Sequence, residues 1–156
     1  MSASAVAEDA RFDHDAFVYD SDDDYIASLA PLIVAALEGG DDVHAVVPPR
    51  NEELLQRALP PSAAAQVTFV DAREWYRRPG TTITQYDDVL TALEGRKAFV
   101  VGEVEFGTTP REWAAWTRYE SVLNGVLAHH TAHVICPYDR RRLPSMVTEA
   151  PASARA

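Results

Sequence analysis

The sequence predicts an α/β fold, a three-layer sandwich in which helices cover both faces of a mostly parallel five-stranded sheet. Two observations carry this prediction. Five short runs rich in β-branched and aromatic residues alternate with helical stretches along the chain, which is typical of a parallel sheet. The runs are also almost continuously apolar, as strands buried on both faces are. They lie at 16–19, 43–47, 66–70, 98–101 and 133–136. The pattern does not predict the order of the strands in the sheet.

The length of 156 residues and the 47% hydrophobic composition are those of one globular domain with its own core. We expect residues 12–147 to form that domain. The segments 1–11 and 148–156 are rich in Ala and Ser and have no hydrophobic period, so we expect disordered tails there. A single cysteine excludes an internal disulfide framework.

The first half of the chain contains two predicted helices. Ser21 is a candidate N-cap, three aspartates follow it, and Gly39-Gly40 would end the helix after Leu37. Pro31 lies inside this helix, where it predicts a kink or a restart. A short helix over 51–59 follows the second strand. The apolar stripe predicted for the first helix consists of Ile26, Leu29, Ile33 and Leu37.

The second half predicts a helical turn at 74–76, a helix over 81–93 and a longer helix that begins at Thr109-Pro110. Threonine as the cap with proline at the first helical position is a strong start signal. The predicted inward stripe of the last helix consists of Trp113, Trp116, Tyr119 or Val122-Leu123, and Val126-Leu127.

Charge and missing motifs narrow the function classes. The net charge of -10 argues against nucleic-acid binding, which depends on neutralising phosphates. No apolar run approaches the length of a membrane span, and the N-terminus does not resemble a signal peptide, so we expect a cytoplasmic protein. The sequence lacks the glycine-rich phosphate loop, the dinucleotide fingerprint, the nucleophile elbow and the zinc-protease helix motif. We therefore predict no cofactor and no resident metal.

Acidic residues follow the predicted strands, at the edge where an open parallel sheet binds its ligands. Such carboxylates could hold a divalent cation, divide acid and base roles, recognise a polar ligand, or simply cap the following helices and face water. Glu103 and Glu105 alternate, so both would point to one side. The acidic set consists of Asp20, Asp71, Glu103, Glu105 and Asp139.

Two further groups are candidates for a site. Cys136 is expected at the end of the last strand, beside Tyr138 and Asp139, as a nucleophile, a redox sensor, a soft ligand or a small buried hydrophobe. Glu120 and Asn124 lie four residues apart, on one face of the last helix, where a buried acid would need a partner such as Tyr19 or an arginine.

Histidines are the other candidates for chemistry near Cys136. Those at 129, 130 and 133 precede the last strand and are expected at its opposite end, which makes a pair with Cys136 improbable. His14 precedes the first strand and is expected at the surface or as a cap.

Several segments, in this order and spacing, resemble the MEDS domain, the methanogen/methylotroph dichloromethane-regulator sensory domain. The resemblance covers residues 12–147. It rests on His14-Asp-Ala-Phe-Val-Tyr-Asp-Ser-Asp-Asp-Asp24, Pro31-Leu-Ile, Gly102-Glu103, Trp116 with Tyr119-Glu120 and Asn124, and Cys136-Pro-Tyr-Asp139 with Arg142-Leu143. The resemblance implies a RecA-like core without a phosphate loop. It also implies pocket residues by motif match: His14, Tyr19, Asp20, Glu103, Glu120, Asn124, Cys136, Tyr138 and Asp139.

The resemblance further implies a bacterial signal-input domain without catalysis that senses a small, hydrocarbon-derived molecule. Its partner would be a histidine-kinase-like ATPase of the anti-sigma type or a transcription regulator. Because this sequence contains no output domain, it is either an isolated domain or a stand-alone protein, and in the second case the partner would act in trans. The segment 102–110, flanked by glycines, is the expected moving part. Two alternatives stay open from the residues: a degenerate metal- or nucleotide-dependent enzyme that uses the strand-end carboxylates, and a protein-interaction module with a vestigial pocket.

Overall fold

The five strands form one sheet, and all of them are parallel. The structure, a computed structural model, describes residues 11–145, 147 and 148, so most of the two predicted tails lies outside the described residues. The strands are β1 Phe12–Tyr19, β2 Asp42–Val47, β3 Thr68–Asp71, β4 Ala98–Gly102 and β5 Ala132–Asp139. Their order in the sheet is β1-β5-β4-β2-β3. The first strand of the chain therefore pairs with the last.

Helices connect the strands. They are α1 Asp22–Glu38, α2 Pro49–Ala58, α3 Pro61–Ala64, α4 Ala72–Trp75, α5 Pro79–Ala92 and α6 Pro110–Leu127. The predicted helices are all present, with ends shifted by a few residues, and the one-turn helix α3 was not predicted. No helix among the described residues is long and apolar enough to cross a membrane.

Two hydrophobic layers separate the sheet from its helices. One layer packs α1, α2 and α3 against one face of the sheet. The other packs α4, α5 and α6 against the opposite face, where Trp116, Tyr119 and Leu123 meet Val134 and Cys136 of β5. This arrangement confirms the predicted three-layer α/β sandwich.

Helix α1 follows the sequence signals at its ends and departs from them in its interior. The Ser21 hydroxyl accepts a hydrogen bond from the Asp24 amide at 3.0 Å, as an N-cap does. The helix runs through Pro31 without interruption, with that residue on the exposed side. Its buried side includes Tyr25 and Ala36, each one position before the predicted Ile26 and Leu37. This small rotation brings a tyrosine hydroxyl to the sheet.

Strands β1 and β5 are longer than their apolar runs, which moves two predicted positions. His14 lies within β1 rather than before it, and Cys136 lies inside β5, three residues before the strand ends at Asp139. Each strand is extended because it pairs over its whole length with the other, from Phe12 with Ala132 to Tyr19 with Asp139. Backbone pairing between distant segments leaves no signal in local hydrophobicity.

Candidate functional site

Glu103 lies immediately after β4, at the carboxyl edge of the sheet, and is only 7% exposed. Its carboxylate accepts hydrogen bonds from the Tyr19 hydroxyl at 2.6 Å and the Tyr25 hydroxyl at 3.0 Å. The Asn51 side-chain amide donates to both carboxylate oxygens, at 3.0 and 3.1 Å. We call these four residues the Glu103 cluster. It joins β1, α1 and α2 to the end of β4.

The ionisation of Glu103 is finely balanced. Burial raises its pKa, the three donors lower it by stabilising the carboxylate, and the nearby charge of Asp139 raises it, to about 7 in sum. Burial and the adjacent carboxylate raise the pKa of Tyr25 well above its usual range, so that hydroxyl remains a donor. A carboxyl group with such a pKa can accept or donate a hydrogen bond near neutral pH.

A chain of charges surrounds the Glu103 cluster. Asp139, at the end of β5, accepts hydrogen bonds from the Arg141 side chain at 3.0 and 3.2 Å. Arg141 also donates to Asp22, at 3.1 Å. Asp22 in turn accepts two hydrogen bonds from Arg50, at 3.1 and 2.6 Å. These pairs link the first turns of α1 and α2 to the segment that follows β5.

A cavity of about 230 Å³ opens between the Glu103 cluster and the segment 103–109. Its lining includes three members of the Glu103 cluster, Tyr19, Asn51 and Glu103, and two further acids, Glu105 and Asp139. Its remaining lining includes Pro48, Arg50, Val104, Phe106, Gly107, Thr108, Pro137, Arg142 and Leu143. The sheet edge expected to bind ligands thus contains a partly apolar cavity over a buried acid.

The strand-end carboxylates do not gather at one point. Glu105 lines the same cavity as Glu103 and Asp139, and burial raises its pKa. Asp20 is exposed and lies 3.6 Å from Arg140, whereas Asp71 accepts hydrogen bonds from Arg73 at the far side of the sheet. The described residues contain no group of three metal-ligand side chains that includes one of these acids.

A second buried group lies on the other face of the sheet, between β1, β5 and α6. The Nε2 atom of His14 is 3.1 Å from the Cys136 sulfur and 3.0 Å from a Glu120 carboxylate oxygen. The Nδ1 atom of His14 is 2.9 Å from the Asn124 side-chain oxygen. We call these four residues the His14 cluster. Four predicted site residues from three separate segments thus meet in one place.

The electrostatics of the His14 cluster are unusual. Burial lowers the pKa of His14, but the adjacent Glu120 and Asn124 outweigh burial and raise it overall. Burial raises the pKa of the Cys136 thiol well above its usual range, and Glu120 adds to the effect. The Glu120 carboxylate lies 3.0 Å from His14 Nε2, but neither of its oxygens makes a hydrogen bond of good geometry among the described residues. The thiol is therefore neutral in this arrangement and not an activated nucleophile.

Tyr138 is the remaining predicted site residue. It is buried in β5, and its ring packs 5.6 Å from that of Phe106, in the segment that covers the cavity. The expected surface position of His14 is wrong, because β1 pairs with β5 and carries the imidazole under α6. The sequence also predicts that Cys136 does not pair with His129, His130 or His133. Consistent with this prediction, His133 contacts Asp15 and His130 contacts Asp87.

A comparison with protein families bears on this geometry. A family model described as MEDS, "MEthanogen/methylotroph, DcmR Sensory domain", matches residues 13–152. The chain belongs to the MEDS family. MEDS domains are sensory domains, which supports a sensory or regulatory role. No curated protein matches the chain.

In this MEDS domain, sequence reasoning missed three contributors to the cavity region. Asn51 follows Pro48-Pro49 at the end of β2, Tyr25 lies one turn into α1, and Arg141 belongs to the arginine run after β5. A usable signal existed for Asn51, because it is a polar residue just past a strand end. Tyr25 and Arg141 become visible only when the strand order brings β1 beside β5.

Proposed function

We propose that this MEDS domain is a non-catalytic sensor that binds one small molecule in the cavity above Glu103 and reports its presence to a regulatory protein. The observation that carries the proposal is the cavity itself. It lies at the carboxyl ends of parallel strands, where α/β folds bind ligands, and a buried acid forms part of its lining.

The size and lining of the cavity favour a small ligand with an apolar body and one hydrogen-bonding group. A volume of about 230 Å³ is below the usual range for drug-sized ligands. Val104, Phe106 and Leu143 supply apolar contacts, and Glu103 supplies a buried polar one, with the charged side chains of Arg50 and Arg142 also in the lining. A small alcohol, amine or carbonyl derivative of a hydrocarbon fits this chemistry.

Glu103 suits the recognition of such a group. The two tyrosine hydroxyls and the Asn51 amide make four hydrogen bonds to the carboxylate, so a ligand would replace one of the two that Asn51 shares between the oxygens. Because the pKa is raised to about 7, the protonated form is also available and can donate to a ligand oxygen. The binding of an amine would favour the ionised acid, and the binding of a carbonyl would favour the protonated acid.

The segment 103–109 is the proposed output element. Six of its residues line the cavity, and it ends at Thr109, the N-cap of α6. The Glu103 amide anchors the start of the segment to β2 through a hydrogen bond to the Val46 carbonyl, at 2.9 Å. Gly107 adopts φ = 77°, a backbone conformation that favours glycine. A ligand that contacts this segment would thus bias the beginning of α6, where a partner protein such as a histidine-kinase-like ATPase or a transcription regulator could read it.

A calorimetric screen of small alcohols, amines and carbonyl compounds against the whole chain tests the binding step. We expect at least one class to bind, and Glu103→Gln to weaken that binding by 10-fold or more, on the order of one charge-assisted hydrogen bond. Asp71→Asn is the matched control, since Asp71 is another strand-end acid that does not line the cavity. The control should bind as the unmodified protein does.

Two outcomes would contradict the proposal. One is the absence of binding by every compound in the screen at millimolar concentration. The other is equal loss of binding in Glu103→Gln and Asp71→Asn, which would locate the ligand elsewhere. Hydrogen exchange of the segment 103–109 tests the output step, because a bound ligand should slow exchange there and at the first turn of α6 more than in α5.

A further inference from the structure

We propose that His14, Glu120 and Cys136 form a binding site for a late first-row divalent cation, with Zn²⁺ as the natural occupant. This site lies on the α6 side of the sheet, whereas the Glu103 cluster lies on the side of α1 and α2. The inference goes beyond the proposed small-molecule cavity and does not depend on it.

The three side chains offer the ligand types that zinc prefers, one imidazole nitrogen, one carboxylate oxygen and one thiolate sulfur. Their ligand atoms all lie within 4.8 Å of one another. Zinc distances of about 2.0–2.3 Å place tetrahedral ligand atoms roughly 3.3–3.6 Å apart. The observed separations of 3.0 Å for His14–Glu120 and 3.1 Å for His14–Cys136 need to open by only about half an ångström.

Glu120 supplies the independent observation that points to a cation. Its side chain is 9% exposed, one of its oxygens lies 3.0 Å from His14 Nε2, and neither oxygen makes a hydrogen bond of good geometry among the described residues. A buried carboxylate in this condition is costly, and in native proteins such groups are paired or coordinate metals. A proton on His14 balances the charge of Glu120 alone. A divalent cation would balance Glu120 and a Cys136 thiolate together, so the occupied site would be neutral.

Asn124 prepares His14 for this role. Its side-chain oxygen lies 2.9 Å from Nδ1 and can accept a hydrogen bond from Nδ1–H, which leaves Nε2 as the nitrogen that binds the cation once it has lost its proton. Nε2 is the atom that faces Glu120 and Cys136. Metal-bound histidines commonly use such an outer hydrogen bond to fix the ring, and its loss weakens metal binding about 10–100-fold.

Binding and access follow from the same geometry. The cation replaces the thiol proton of Cys136, which is released to solvent, so affinity rises with pH. Asn124 is exposed at the surface of α6, which provides an approach to the cluster. Three protein ligands leave one tetrahedral position for water or a small molecule, as in open zinc sites.

Titration of the whole chain with Co²⁺, followed by optical spectroscopy, tests the site directly. We expect one equivalent of Co²⁺ to produce an intense thiolate-to-cobalt charge-transfer band and the visible bands of a tetrahedral ion, and Zn²⁺ to remove both by competition. Cys136→Ser should abolish the charge-transfer band. Asn124→Ala should keep the band but weaken Co²⁺ binding about 10–100-fold.

A matched control comes from a second group of possible ligands. Asp87, His129 and His130 also place ligand atoms within 4.8 Å of one another, but this group is more exposed and contains no thiol. Asp87→Asn should leave the charge-transfer band unchanged. If Cys136→Ser does not fold, Glu120→Gln provides the equivalent test, since a folded variant should lose affinity by at least 10-fold.

Three results would overturn the proposal: no charge-transfer band in the unmodified protein, a band that survives Cys136→Ser, or Co²⁺ affinity that Glu120→Gln leaves unchanged. Zn²⁺ should also raise the Tm of the unmodified protein by about 5–10 °C at saturating concentration. Glu103→Gln should show the same Zn²⁺ response as the unmodified protein, so failure of the small-molecule proposal and failure of the metal proposal are distinguishable.

Discussion

Glu103 and Glu120 are two buried acids on opposite faces of one sheet, and their surroundings differ sharply. Glu103 accepts hydrogen bonds from two tyrosine hydroxyls and one amide. Glu120 lies 3.0 Å from a His14 nitrogen and beside the Cys136 thiol, and neither of its oxygens makes a hydrogen bond of good geometry among the described residues. Donors within the protein satisfy the Glu103 carboxylate, whereas too little positive charge surrounds the Glu120 carboxylate to balance it. Burial alone therefore does not indicate what an acid does; its donors do.

Replacement of each acid by alanine should give the largest difference in stability between the two sites. Glu103→Ala should cost roughly 3–5 kcal/mol of the free energy of unfolding, because it strips the acceptor from Tyr19, Tyr25 and Asn51, which stay buried. Glu120→Ala removes one ion-pair contact, with His14 at 3.0 Å, instead of four hydrogen bonds, and should cost less. Urea denaturation in the presence of a chelator measures both. Equal losses would mean that the two acids are equally well satisfied.

The pH dependence of stability is the next largest effect. Burial raises the pKa of Glu103 from 4.5 to about 7, so the folded protein holds a proton there that the unfolded chain releases. The stabilisation from this proton is fully present below pH 4.5 and is lost as pH rises to about 7, on the order of 3 kcal/mol in total.

The glutamine side chain in Glu103→Gln cannot ionise, so this variant should not show the loss of stability that Glu103 causes as pH rises. The measurement is the difference in free energy of unfolding between the unmodified protein and Glu103→Gln across that pH range, since other groups contribute equally to both. A difference that stays constant from pH 4.5 to pH 7 would show that the Glu103 carboxyl group ionises as it does in the unfolded chain.

Tyr25→Phe should have an intermediate effect. It removes one hydrogen bond to the Glu103 carboxylate without opening a cavity, at a cost of roughly 1.5–3 kcal/mol at alkaline pH, where the acid is ionised. Because the ionised form loses a donor, the pKa of Glu103 should rise further. The decline in stability should therefore extend to higher pH in this variant. Chemical denaturation at several pH values detects both effects.

Glu120→Gln should have the smallest effect in the metal-free protein, less than about 1 kcal/mol. The substitution exchanges the ion pair with His14 for a hydrogen bond, because the new amide has the same shape and can donate to the His14 nitrogen that lies 3.0 Å from the present carboxylate. Thermal unfolding with a chelator measures it. A loss as large as that of Tyr25→Phe would mean that Glu120 has partners in the folded protein beyond those described above.

The fold was largely predictable because its signals are local. Ser21 and Thr109 cap helices where the sequence places caps, and apolar runs mark all five strands. The candidate site was predictable only in part. Glu103 follows a recognisable strand, whereas the contact between His14 and Cys136 spans 122 positions and depends on β1 lying beside β5. Local periodicity carries no information about which strands become neighbours.

The pairing of β1 with β5 also sets a constraint on synthesis. Every residue of β1, from Phe12 to Tyr19, finds its sheet partner 120 positions later, and among the described strands β1 has no other neighbour. At translation rates of about 5–20 residues per second, the first strand leaves the ribosome roughly 6–24 seconds before its partner is made. Throughout that interval its backbone donors and acceptors are open to any other extended chain, so the strand made first is the last to be protected.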